Sequence, residues 1–186
     1  ISKGILGYRR NSYIEPGEIC FWTATINNWQ HLLRDDMYKD VVISSLNYLS
    51  AAGKIDVFAF VVMPNHIHLI WRINDLNGKE TAQGSLLKYT AHEFKKLLKK
   101  GNEGGLISYA VAAPNKEYEF WQRDSLSVSL FTKDVAFQKL DYLHFNPLSE
   151  RWQLVKDPGD YVYSSAAYYE KGEKNYPFLK DLREEF

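Results

Sequence analysis

Phe58-Ala-Phe-Val-Val-Met-Pro-Asn-His-Ile-His-Leu-Ile-Trp71 is the stretch on which the fold turns. Two apolar, β-branched runs meet at Pro64-Asn65, which reads as a hairpin: one strand over 55–63, a tight turn, and a second strand over 66–73. Strand side chains alternate with period two, so His66 and His68 leave the second strand on one side and Ile67 on the other. Two neutral imidazoles about 6–7 Å apart along a strand can close on one divalent cation. A third ligand must then come from elsewhere, and a functional site of this kind keeps coordination positions open for substrate. A His-x-His is also what a strand shows when two polar residues simply face water. Here the flanks are apolar on both sides, as in a buried strand, and buried histidines need partners.

Working outward, Pro16-Gly17 precedes a strand expected over 18–26, closed by Asn27-Asn28. Apolar residues at Met37, Val41, Val42, Leu46 and Leu49 have a helical period over 35–52, stopped by Gly53. A second helix is expected over 81–100, with Leu86, Leu87, Phe94 and Leu97 on its apolar side. The span 102–116 reads as an irregular surface loop, 118–130 as a fourth strand with alternation at Leu126, Val128 and Leu130. Thr132 suits an N-cap, with Asp134 in the first turn, for a helix that runs to Asn146 before Pro147. A short helix is expected near 164–170. The order strand, helix, hairpin, helix, strand, helix gives an α+β fold: one antiparallel sheet with helices packed on one face, a two-layer sandwich. The chain reads as a single domain over 1–186, its core at about 18–147 and a C-terminal extension at 148–186.

Bulk properties narrow the function classes. With 186 residues, 45% apolar and 25% charged, the chain can bury a core of its own. No apolar run reaches the roughly 20 residues of a membrane span, and no secretory leader is visible at Ile1. Cys20 stands alone, so an internal disulfide and a cysteine metal site are both excluded, which suits a cytoplasmic protein. Lys and Arg number 23 and so do Asp and Glu. A net charge of zero does not favour nucleic acid, yet a basic face can be balanced by an acidic one. Candidate basic groups are Lys95, Lys96, Lys99 and Lys100 on the second helix, Arg123, and the Arg9-Arg10 pair; a solvated surface is the plain alternative for each. The 13 Tyr, 10 Phe and 5 Trp mostly belong to the core, but single-strand binders also stack bases on such rings.

In the helix that follows Thr132, Gln138, Tyr142 and Asn146 are spaced by four and form one polar stripe. Such a stripe is as readily a solvated face. Its chemical alternative is a phenol nucleophile, usable when an adjacent cation or metal offsets its high pKa, with Asn146 as an oxygen ligand.

Met63-Pro-Asn-His-Ile-His68 and Asp141-Tyr-Leu-His-Phe-Asn-Pro147, in this order, resemble the paired motifs of the single-tyrosine HUH transposases, in particular the REP-associated tyrosine transposase branch. The family's first motif reads Met/Leu-Pro-x-His-x-His and its second Asp/Asn-Tyr-Ile-x-x-Asn-Pro-Val; the resemblance spans about 21–166. It implies a ferredoxin-like sheet that sets His66 and His68 beside Tyr142, with Mg²⁺ or Mn²⁺ bound between them and Asn146 as third ligand. Tyr142 would attack a phosphodiester of single-stranded, hairpin-bearing DNA, leaving a 5′-phosphotyrosine and a free 3′-OH. Lys95, Lys96, Lys99, Lys100 and Arg123 would then be the DNA-binding surface, and the assembly either a monomer or a homodimer that shares sites. The chain departs from the family where Asn-Pro-Val-x-x-Gly is usual: it has Asn146-Pro-Leu-Ser-Glu-Arg-Trp152. Two other readings compete. One is a hairpin-binding module that has lost turnover. The other is a small metal hydrolase, which would need a carboxylate beside the metal and has no His-Glu-x-x-His or Asp-rich motif to supply it.

Overall fold

Every position of the strand Ile55–Val62 is buried, and all but Arg72 of the strand His66–Ile73. A sheet whose central strands are apolar on both sides must be covered on both sides. The computed structural model, which describes residues 13–101 and 103–186, shows that cover. Arg9 and Arg10 lie outside the described residues.

The strands are β1 (Ile19–Thr25), β2 (Ile55–Val62), β3 (His66–Ile73), β4 (Ala110–Ala113), β5 (Lys116–Tyr118) and β6 (Leu126–Ser129). The helices are α1 (Asp36–Ala51), α2 (Ala82–Gly101), α3 (Lys133–Phe145) and α4 (Ala166–Lys171). The main sheet has the antiparallel order β2-β3-β1-β6. With the β4–β5 hairpin set aside as an insertion between α2 and β6, the path is β-α-β-β-α-β, the ferredoxin-like connection.

Strand alternation divides the core in two. Ile67, Leu69 and Trp71 of β3 face Val42, Leu46 and Leu49 of α1 and Leu86, Phe94 and Leu98 of α2. Ile70 faces the other way, with Phe21, Phe58 and Val61, onto Ala136, Leu140 and Leu143 of α3. A bulge between Val57 and Ala59 lets Phe58 and Ala59 both turn towards α3. The α+β class and the antiparallel sheet with helices packed against it therefore stand, with α1 and α2 on one face and α3 on the other. The sheet with α1 and α2 is the two-layer sandwich, and α3 adds a third layer, because a one-sided sheet would leave Phe21, Phe58 and Ile70 wet.

Two further expectations change. The span 102–116 contains a 3₁₀ segment, Glu103–Tyr109, and then β4 rather than an irregular loop. The fourth strand shrinks to β6, because Asp124 has φ 57° and breaks the extended chain; upstream, only Trp121 bridges to Ile26. The C-terminal extension is no loose appendage. Val62 N–H donates to the Tyr163 carbonyl (2.9 Å), Ser165 N–H to Phe60 (2.9 Å) and Lys180 N–H to Val57 (2.9 Å), so residues after 160 occupy the outer edge of β2. Arg72 ties Asp56 (2.7 Å) to Glu185 (2.7 Å) across the same edge.

Candidate metal and nucleic-acid site

The Pro64-Asn65 turn is fixed by backbone bonds from three directions. Met63 N–H meets the His66 carbonyl (2.8 Å), Ile26 N–H the Asn65 carbonyl (2.8 Å) and Leu33 N–H that of Pro64 (2.9 Å). β3 thus starts in a rigid frame, and His66 and His68 leave it on the face that carries α3, with ring centres 4.6 Å apart and planes at 67°. The expectation of a shared face holds.

Each imidazole has one nitrogen committed. Asn65 Nδ2 donates to the Trp29 carbonyl (3.3 Å), which turns Oδ1 towards His66; Nδ1–H of His66 donates to that oxygen (2.7 Å), and Nε2 keeps its lone pair. On the neighbouring strand, Thr23, the register partner of His68, shares a 2.7 Å hydrogen bond with His68 Nδ1, leaving Nε2 of His68 uncommitted as well. Burial first and the Arg151 charge second bring the His66 pKa down to about 4, with a hydrogen bond to Asn146 opposing the shift. His68 is held well below the usual imidazole range by burial first, then by His66 and Lys139. Both rings are therefore neutral near pH 7, the form that binds metals.

α3 brings the second motif to the pair. Thr132 Oγ1 accepts from Val135 N–H (3.4 Å), the expected N-cap, and Ala136, Leu140 and Leu143 seat the helix on the sheet. Lys139, Tyr142 and Asn146 follow at i, i+3 and i+7 along its flank. The Tyr142 ring lies 5.6 Å from His68 and 5.9 Å from Phe21, half exposed, in a cleft of about 700 Å³ that Asn146, His66 and His68 also line. Gln138, the other member of the stripe, is exposed and does not line it. Tyr161 and Tyr163 are engaged elsewhere, donating to the Val62 carbonyl (2.8 Å) and to Asp40 (2.8 Å), and burial raises the pKa of both. Tyr142 is the tyrosine at the cleft.

Among the described residues there is no group of three or more His, Cys, Asp and Glu, and no carboxylate lines the cleft. Two imidazole nitrogens and the Asn146 amide oxygen are the groups that could hold a divalent ion here. Such a set would suit a borderline ion with positions left open, and Mn²⁺ accepts imidazole more readily than Mg²⁺, which demands oxygen.

The cations nearest the site are ones the sequence pattern did not single out: Arg151, which lines the cleft, and Lys139, which stands beside Tyr142. Lys139 Nζ stands 5.1 Å from the Phe21 ring centre and 5.5 Å from that of Tyr142; the Arg151 guanidinium stands 5.1 Å from Trp152 and 6.0 Å from Trp29. Lys139 lies at i−3 to Tyr142, outside the polar stripe of spacing four. The basic residues expected to bind DNA are elsewhere. Lys95 pairs with Glu117 (2.8 Å), Lys96 with Glu93 (2.7 Å) and Arg123 with Glu119 (3.2 Å), while Lys99 and Lys100 end α2, which packs on the opposite face of the sheet. None of the five lines the cleft.

No protein-family model and no curated protein sequence matches the chain. Among solved structures, that of a REP-associated tyrosine transposase bound to a REP hairpin superposes with a TM-score of 0.61 at 19% identity, over 95% of this chain and 91% of that one. A crystal structure of a Deinococcus radiodurans R1 protein, provisionally assigned as a transposase, gives 0.42 at 14% identity, over 76% and 95%. Over nearly its whole length, this chain is similar in fold to a REP-associated tyrosine transposase.

Proposed function

We propose that the protein is a metal-dependent single-stranded DNA endonuclease and strand transferase that cleaves through Tyr142. The observation that carries the reading is the convergence in one cleft of a half-exposed tyrosine, two neutral histidines, and Asn146, whose side chain meets His66. The cleft chemistry supports a polyanion rather than a neutral ligand. Lys139 and Arg151 have no carboxylate partner among the described residues, whereas much of the basic surface elsewhere is paired. A net charge of zero is then no obstacle, since the positive field is local.

In this reading His66, His68 and Asn146 would hold Mn²⁺ or Mg²⁺, which when bound would supply Lewis-acid stabilisation of the charge that develops on the scissile phosphate. Tyr142 Oη attacks the phosphorus, the bond to the 3′ oxygen breaks, and the products are a 5′-phosphotyrosine and a free 3′-OH. The phenolic proton leaves to water, to which the half-exposed side chain is open. Lys139, beside the Tyr142 ring, stabilises the phenolate as it forms. Attack of a second 3′-OH on the phosphotyrosine reverses the step and joins strands. The same reading makes the partner a DNA hairpin with single-stranded flanks and the working place the cytoplasm; among the described residues no helix is long and apolar enough to cross a membrane.

Incubation with labelled hairpin oligonucleotides and Mn²⁺ should yield a protein–DNA adduct that survives denaturation, and Tyr142→Phe should bind the same DNA without forming it. Binding without any adduct in the wild type would replace this reading with that of a hairpin-binding module. An adduct in the Phe variant would move the nucleophile to another tyrosine.

A further inference from the structure

The departure of the chain after Asn146-Pro147 places two residues at the cleft that nothing in the mechanism above uses, Arg151 and Trp152, and a third, Trp29, meets them from the other side. We propose that Trp29, Arg151 and Trp152 form a stacking site for one unpaired nucleobase next to the scissile phosphate. This rests on the single-stranded DNA reading and adds to it where a base is held.

Trp29 is 54% exposed, although an indole is among the side chains that gain most from burial. Its backbone is held out at a cost: Asn28 and Trp29 have φ of 54° and 56°, a left-handed conformation that bulky residues rarely adopt. Strain of this kind persists only where the surroundings enforce it. Here Trp29 N–H donates to the Ile26 carbonyl (3.0 Å), and the Trp29 carbonyl accepts from Asn65 Nδ2, the amide that orients His66. The turn that presents the indole is thus tied to the turn that presents the His pair. From the other wall, Trp152 sets its ring 6.1 Å from that of His66 and 5.4 Å from that of His31, so its position is fixed by packing. The Arg151 guanidinium stands within 6.0 Å of both indole centres and has no carboxylate partner among the described residues.

Two indoles and an unpaired guanidinium at the rim of a carboxylate-free cleft are what a flat, polar-edged π-system seeks. Bases stack on aromatic faces and on guanidinium planes, and the donors of Arg151 can meet base-edge acceptors. An aliphatic or purely anionic ligand would leave both indoles unused. Trp29, Trp152, His66, His68 and Tyr142 line one cleft, and the Trp152 ring stands 6.1 Å from that of His66, so a base stacked there belongs to the same strand as the phosphate at Tyr142.

The test reads binding and not cleavage, on the Tyr142→Phe background, with a labelled hairpin oligonucleotide bearing a mixed-sequence single-stranded 5′ tail. Trp29→Ala should weaken binding by about tenfold or more, the loss of one base–aromatic stack, while Trp29→Phe keeps most of it. Because an indole carries no charge, the salt dependence of binding should be unchanged by Trp29→Ala, while Arg151→Gln should lower the slope by about one phosphate. Abasic substitution along the tail should weaken wild-type binding at one position that has no further effect in Trp29→Ala. Trp29→Ala binding as tightly as the parent, or abasic losses that add to Trp29→Ala at every position, would overturn the stacking site and leave the function intact. A parent that binds no single-stranded oligonucleotide at all would overturn both.

Discussion

Asn65 determines which nitrogen of His66 is free, although its own side chain does not line the cleft. Its NH₂ is spent on the Trp29 carbonyl, so its oxygen must face the imidazole and its partner nitrogen must carry the proton. Replacing it with Ala removes that constraint; we expect Mn²⁺ affinity to fall by about 10–100-fold, the usual effect of losing a ligand's supporting hydrogen bond. Titration followed by the electron paramagnetic resonance signal of free Mn²⁺ checks this, and an unchanged affinity would mean that the tautomer is set by something else. Lys139 offers a second test at this scale. Lys139→Met keeps the stem that lies over Phe21 and removes the charge near Tyr142, so adduct formation should slow by about tenfold at saturating DNA, as suits a partly exposed charge. An undiminished rate would remove Lys139 from the mechanism. The residues legible in the sequence were those set by local period: two in a strand for His66 and His68, four in a helix for Tyr142 and Asn146. Trp29, Arg151 and Trp152 were not legible, because turns built on left-handed residues such as Asn28 and Gln153 leave no periodic trace.

α3 carries Tyr142, and its hold on the sheet is an apolar stripe of Ala136, Leu140 and Leu143. Leu140 is the middle of that stripe and nearly fully buried. Leu140→Ala should cost about 2–4 kcal/mol in urea unfolding, from lost transfer energy and the cavity left behind. Because Lys139 and Tyr142 ride on the same turns, adduct formation should fall further than the folded fraction does; a fall that merely tracks unfolding would show that α3 keeps its place without this side chain. Helix and hairpin bounds read from the sequence lie within a residue or two of those observed, since caps and stops such as Thr132, Gly53 and Pro147 are local signals. That the expected basic residues lie away from the cleft was not legible, for the converse reason. Lys95 and Glu117 are far apart in sequence, so their pairing depends on how the β4–β5 insertion packs on α2, and a charge pattern along one helix cannot reveal it. Likewise, an unbroken apolar run in β2 announced burial but not which helix supplies each side.

Across the whole molecule, three imidazoles are buried neutral: His66 and His68 at the cleft, and His144 where α3 meets the C-terminal extension. His144 Nε2 pairs with Ser165 Oγ (2.8 Å), and Ser165 in turn bonds Phe60 of β2, so this histidine sits in the seam that joins the third layer and the extension to the sheet. Burial holds its pKa to about 4, against 6.5 when exposed. The sign follows from proton counting. Above pH 6.5 neither folded nor unfolded chain protonates the ring, and the full stability is present. Between 6.5 and about 4 only the unfolded chain takes up the proton, so stability falls as the pH drops, and the loss is complete once the folded ring also titrates. From pH 7 to pH 5, His144 alone should cost about 2 kcal/mol, and His66 and His68 add losses of the same sign. The ion-paired carboxylate of Asp56, held below the usual range mainly by Lys180 and Arg72 against its burial, acts only at lower pH and does not enter this window. Urea unfolding with chelator present, so that no metal masks the histidines, should therefore show a stability that is nearly flat between about pH 7 and 8 and falls steeply towards pH 5. His144→Gln, which can keep a hydrogen bond to Ser165, should be less stable than the parent at pH 7 yet lose about 2 kcal/mol less on acidification. Equal pH slopes for parent and variant would mean that His144 is not shielded in the folded protein and that the seam between α3 and the extension is open to water.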